Sequence, residues 1–160
     1  MLNTIIFRGK DLDTSKWVYG FFVRMQDTVR KPIDKKERIT HRIYSGFADS
    51  CACEKGYDFF GDWTEVNPNT VGQFTGMYDK NGKEIYEGDI LLSKDEYGTV
   101  EVIFAHGAFQ VRYFCKNGEH RIPFTNLKKD YELLGNIHDN PGLLNAVGYK
   151  FKENKEGGEE

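Results

Sequence analysis

Cys51 and Cys53 form the densest pair of metal-ligating side chains in the chain, with Cys115, His41, His106, His120 and His138 as further donors. Tetrahedral zinc needs four such ligands converging at about 2.0 to 2.3 Å, and its usual signal is two cysteine pairs at regular spacing. One Cys-x-Cys with scattered partners falls short of that, so no metal or other cofactor is expected. Nucleophilic catalysis needs a Ser or Cys beside a base and an orienting third group. Ser45, Ser50 and Ser93 lie in no G-x-S-x-G elbow, and no local signature places a histidine beside them. Asp79 and Asn81 begin like a calcium loop, but Gly82 comes too early and Gly88-Asp89-Ile90 stands where the closing bidentate Glu belongs. The glycine-rich strings that cradle phosphates do not occur. The chain is therefore expected not to be an enzyme, with a cryptic metalloprotein or enzyme as the remote alternative.

Charge suggests a different chemistry. Between Arg24 and Arg42 seven basic residues (Arg24, Arg30, Lys31, Lys35, Lys36, Arg38 and Arg42) stand against three acidic ones, in a chain of formal net charge −3. Such a cluster attracts phosphates by releasing their condensed counterions, which makes this segment the candidate nucleic-acid contact. The plainer reading is a solvated ribbon whose charges keep an exposed edge strand from pairing with neighbours. Tyr44 and Phe47 are rings near it that could stack on bases, but in a chain this aromatic such rings more often belong to the core. Trp17, Tyr19, Phe21 and Val23 alternate at the two-residue period of a strand. Their alternation predicts a buried sheet face, with a docking face as the alternative. Asp89 and Asn136, each beside a glycine, are expected to bond local backbone amides and fix turns.

The elements that position these residues read as short strands. Thr4 to Arg8 followed by Trp17 to Val23 suggests a hairpin turned at Gly9 to Asp13. Arg24 to Arg42 reads as an exposed ribbon or long loop, Ile39 to Phe47 as a strand, and Ala48 to Asp62 as an irregular insertion. Thr64 to Val66 is a short strand stopped by Pro68, with Asn67 or Asn69 capping a turn of helix. Asp79-Lys80-Asn81-Gly82 is a tight turn, since Asn and Gly tolerate positive φ. Strands are predicted over Asp89 to Ser93, Thr99 to Phe104, Ala108 to Phe114, His120 to Phe124 and Tyr131 to Ile137. Five short strands at this spacing suit an SH3-like barrel. Asn140 and Pro141 start one short helix, and the charged segment 147–160 reads as a disordered tail.

The run from Gln73 to Ile90, QFTGMYDKNGKEIYEGDI, is a dense code of turns and strands without histidine, cysteine or serine. It resembles the signature of the YopX family of phage and prophage proteins. The segments FRGKDLDTSKWVYGFF, VNPNTVGQFTG and YELLGNIHDNPGLL resemble the family's other motifs, in the right order. The likeness runs from Phe7 to Leu144, whereas Met25 to Asp62 matches nothing in it. It implies a small, mostly β accessory protein with no established activity and no catalytic residues to carry over. The motif residues Gly72, Gln73, Phe74, Gly76, Asn81, Gly82, Gly88, Asp89, Gly135 and Asn136 are assigned structural roles.

Composition agrees with a β-rich chain. Nine Tyr and twelve Phe pack well on pleated surfaces, and seventeen Gly suit many tight turns. No apolar run is long enough for a membrane helix, and the N-terminus lacks the pattern of a signal peptide. Three cysteines, an odd number, fit a reducing compartment, so a bacterial cytoplasmic location is expected. The predicted architecture is mainly β with one or two short helices. An N-terminal hairpin lobe (1–76, with a basic and irregular insertion at 24–62) precedes a C-terminal barrel-like lobe (77–146). The expected function is binding, to a protein partner or to itself, with nucleic acid as the alternative and no membrane role.

Overall fold

Alternating apolar residues punctuated by Gly, Asn and Asp produce eleven strands and little helix among the described residues. The computed structural model describes residues 5–27, 38–45, 62–93, 98–115, 117–125 and 131–146. The predicted irregular stretch at 48–61, the candidate ligands Cys51 and Cys53, and the charged tail all lie outside the described residues. The chain forms two compact units, Met1–Thr75 and Gly76–Glu160.

The first unit contains β1 (Phe7–Lys10), β2 (Trp17–Asp27), β3 (Arg38–Tyr44), β4 (Trp63–Glu65), a 3-10 turn (Pro68–Thr70) and the start of β5 (Gly72–Tyr78). The second contains the end of β5, then β6 (Glu84–Tyr86), β7 (Asp89–Leu92), β8 (Thr99–Ala105), β9 (Ala108–Cys115), β10 (Gly118–Pro123), β11 (Glu132–Asn136) and a short helix, α1 (Leu143–Ala146). One antiparallel sheet runs in the order β4-β3-β2-β1-β5-β6 and the other in the order β10-β9-β8-β7-β11. The mainly β class holds, and the five strands predicted for the last third are present within two residues of their expected starts.

Local chemistry sets the turns. Asp11 Oδ1 accepts the amides of Asp13 (2.7 Å) and Thr14 (2.8 Å), closing the link between β1 and β2. Asn67 caps the 3-10 turn by accepting the Asn69 amide at 3.0 Å, with Pro68 preset for the first helical position. β1 is displaced from its predicted place: it occupies Phe7–Lys10, so Gly9 lies inside a strand and the turn starts at Asp11. Gly9 packs there because a Cβ would already stand 3.1 Å from Val66. The predicted loop from Arg24 is also shorter than expected. β2 continues to Asp27 and pairs with β3 down to Asp27 opposite Arg38.

Each unit has its own core. In the first, Ile43 and Val66 are fully buried, and Phe22 packs between Phe7 (centroids 5.6 Å apart) and His41 (6.0 Å, near-parallel). In the second, Ile85, Leu91, Val100, Val102, Val111, Phe124 and Tyr131 form the core. There β7 to β10 make a consecutive meander and β11 returns to pair with β7, with a bulge between Leu133 and Gly135.

Candidate functional site

The two faces of β2 have opposite fates. Val18, Gly20 and Phe22 share the side of Ile43 and Phe7, which is the core side. Trp17, Tyr19, Phe21 and Val23 point the other way, and Tyr19 and Phe21 remain 48% and 39% exposed. The expectation that this alternating aromatic face lines the core therefore fails at Tyr19 and Phe21, while Trp17 and Val23 are half-buried. Gly20 explains why the opposite side is the inner one. It adopts φ +153°, and a Cβ there would lie 2.0 Å from the Tyr44 carbonyl oxygen, so β3 approaches β2 more closely than any side chain permits.

The outward face is mixed aromatic and cationic. Register places Arg8 opposite Tyr19 and Lys10 opposite Trp17 on β1, then Tyr44 opposite Phe21 and Arg42 opposite Val23 on β3. Trp63 and Glu65 of β4 continue the rows of Tyr44 and Arg42. The Arg8 guanidinium lies 4.7 Å and the Lys10 ammonium 5.4 Å from the Trp17 ring centre, and the Arg42 guanidinium lies 4.0 Å from that of Trp63. These are cation–π distances. Met25 sits beneath, with its sulfur accepting from Arg42 Nη1 (3.4 Å) and the Tyr44 hydroxyl (3.5 Å). Trp63 keeps 47% of its surface exposed, whereas Arg8 and Tyr44 are buried.

The seven basic residues singled out by charge divide differently. Arg42 belongs to this face, while Arg24, opposite His41, lies on the other side of β2. Arg38 is placed only by its backbone pairing with Asp27, and Arg30, Lys31, Lys35 and Lys36 lie outside the described residues, as does Phe47. Arg42 is paired on both sides, with Val23 and Glu65, whereas Arg24 lies where β2 has passed the end of its register with β1 at Gly20 and pairs with β3. Tyr44, expected as a ring near the basic segment, is 6% exposed. Sequence reading overlooked Trp63, Arg8 and Lys10 as members of one surface, because only strand pairing brings them together.

The motif residues of the second unit build turn locks. Asp79, 6% exposed, accepts the amides of Asn81 (2.7 Å) and Lys83 (2.9 Å) through Oδ1, and that of Leu133, distant in sequence, through Oδ2 at 3.2 Å. Burial pushes its carboxyl up, but those amides and the Asn81 side chain outweigh burial and hold it below the ordinary carboxylate value. Asp89, 1% exposed, accepts the Tyr86 amide at 2.8 Å across the turn that contains Gly88. Asn136 Oδ1 accepts the amides of His138 (3.0 Å) and Asp139 (2.9 Å), and its Nδ2 donates to Asp139. Gly76, Gly82 and Gly88 all have φ near +80°. Gly135 leaves room for Asn140, whose Oδ1 would stand 2.3 Å from any Cβ there. In β5, Gly72 is buried opposite Arg8, Gln73 faces Phe7, and the Phe74 amide donates to Ile6.

The other chemically capable groups are dispersed. His41 stacks on Phe22, His120 on Tyr113, and His106 occupies the turn between β8 and β9. Cys115 ends β9 as a free thiol, and Ser45 donates to the Asp62 carbonyl. Among the described residues no three His, Cys, Asp or Glu side chains gather as metal ligands would. Glu101, 3% exposed, accepts from Arg112 Nε (3.1 Å) and Nη2 (2.5 Å), and Glu119 lies between Arg112 and Arg121. This ladder crosses β8, β9 and β10 and ties the sheet together.

The sequence model of the YopX protein family matches residues 6–145, which include all four of the motif segments quoted above. The chain belongs to the YopX family. The chain is also similar to the crystal structure of protein EF1440 from Enterococcus faecalis, at 24% identity. That match covers 88% of this chain and 98% of the other, with a TM-score of 0.55, and at this identity the likeness is one of fold. No curated protein matches this YopX chain.

Proposed function

We propose that this YopX protein is a non-enzymatic binding protein that works through the outward face of β1 to β4. The observation that supports this most is the joint exposure of Tyr19, Phe21 and Trp63 on one sheet face, among Arg8, Lys10 and Arg42. Exposed aromatics grouped with arginine are the composition of a recognition surface rather than of an ordinary solvated face. The carboxylates and amides that could otherwise suggest catalysis, Asp79, Asp89 and Asn136, serve backbone turns. We place the protein in the cytoplasm of a bacterial cell, as a phage or prophage accessory factor. No described helix is long and apolar enough to cross a membrane. The second unit, whose strand order returns β11 to β7, is read as an SH3-like module that stabilises the family motifs.

Affinity capture from cells tests this reading. Tagged wild-type protein should retain a specific macromolecule that the double variant Tyr19→Ala, Phe21→Ala loses while keeping its far-UV circular dichroism. Identical capture by the two proteins would refute a role for this face.

A further inference from the structure

The composition and geometry of the β1 to β4 face point to one class of occupant. Phe21, Tyr44 and Trp63 fall in one row across β2, β3 and β4, with Tyr19 two residues along β2 from Phe21. Strand geometry puts Tyr19 and Phe21 roughly 7 Å apart, and Phe21 and Trp63 roughly 10 Å apart. These spacings separate the three exposed rings by distances that a few nucleotides of an extended strand can bridge. A duplex cannot use such rings, because its bases are already stacked on one another.

Charge agrees with that occupant. Lys10 and Arg42 are half-buried beside the two tryptophan rings, where their aromatic partners hold them in place. A base stacked at Trp63 would bring its phosphate near a guanidinium that is already oriented, which lowers the entropy cost of pairing. Glu65 is the carboxylate that register adds to the β3 and β4 part of this face, in a chain of net charge −3. The local balance is thus opposite in sign to that of the whole protein.

We propose that the outward face of β1 to β4 binds single-stranded nucleic acid, with bases stacking on Tyr19, Phe21 and Trp63 and phosphates meeting Lys10 and Arg42. The inference rests on the reading of this face as the protein's docking surface and adds its partner. Stacking on aromatic side chains combined with a basic track is the general means of binding single strands with little sequence preference.

The chain's only two tryptophans, Trp17 and Trp63, both lie on this face, so their fluorescence reports directly on it. The full chain is titrated with labelled single-stranded oligo(dT) and oligo(rU) of about 16 nucleotides, the upper site size of comparable stacking platforms. Anisotropy and tryptophan quenching are followed, with a duplex of equal length alongside. Expected are micromolar or tighter binding of single strands, quenching on saturation, weaker binding as salt rises, and weak duplex binding. Tyr19→Ala alone should weaken binding about tenfold, and the pair Tyr19→Ala, Phe21→Ala further, with the thermal transition retained. No anisotropy change at tens of micromolar protein in low salt would overturn the proposal, as would equal affinity for the duplex or an undiminished affinity of the double variant. If the oligonucleotides fail while cell capture still yields a protein lost from the double variant, the occupant is wrong and the docking reading stands. If both fail, both fall.

Discussion

Replacing Asp79 by alanine removes one carboxylate that joins a hairpin turn to a strand more than fifty residues away. The bonds to Asn81 and Lys83 belong to exposed residues, where water takes the carboxylate's place and each loss costs about 0.5 to 1 kcal/mol. The Leu133 amide lies in half-buried β11, and leaving it without an acceptor costs about 1 to 3 kcal/mol. Relief of the desolvation that the buried carboxylate suffers returns part of this, so Asp79→Ala should destabilise the second unit by about 2 kcal/mol. Hydrogen exchange at the Leu133 amide, read together with urea unfolding, measures the effect where it originates. The pH dependence gives a second reading. Because the folded carboxyl is held below 3.8, its contribution is complete above that value and is lost as pH falls through the lowered folded value. The stability gap between wild type and variant should therefore narrow in acid. A loss under about 0.5 kcal/mol, unchanged protection at Leu133, or a gap that stays constant below pH 3.8 would refute the assigned role.

Two further substitutions test the structure. Gly20→Ala places a methyl group against the Tyr44 carbonyl at φ +153° and should cost about 3 kcal/mol or prevent folding; a thermal transition lowered by under about 1 kcal/mol would contradict the close approach of β2 and β3. Arg112→Ala strands the buried Glu101 carboxylate and should cost about 3 kcal/mol, while adding Glu101→Gln should recover part of that loss. Strictly additive costs in the double-mutant cycle would dissolve the pair.

Much of the second unit was legible in the sequence, because its strands are short, alternate cleanly and are separated by residues with definite turn chemistry. Asn140 illustrates the limit: it was expected to cap a helix beginning at Pro141, whereas α1 begins at Leu143 and its amide donates to the Asn140 carbonyl. The candidate site was less legible. The run of basic residues drew attention to Arg24 and Arg42 together, yet neighbouring strands carry them to opposite sides of the sheet. Trp63, which completes the aromatic face, stands far from Tyr19 in sequence and meets its row only through β3.

The amino-acid sequence by itself determined the strand period of Trp17 to Val23, the turns at Asp79 to Gly82 and Gly88 to Asp89, and the motif string that marks the family. These are local properties, set by side-chain alternation and by which residues accept positive φ. Only the tertiary structure decided which side of β2 meets the core. Alternation states that Trp17, Tyr19 and Phe21 share a face, but the larger aromatic set does not have to be the buried one. The core formed on the other face because Gly20 lets the β3 backbone approach to a distance that no Cβ would allow, and Gly9 leaves close-packing room for Ile43 and Val66.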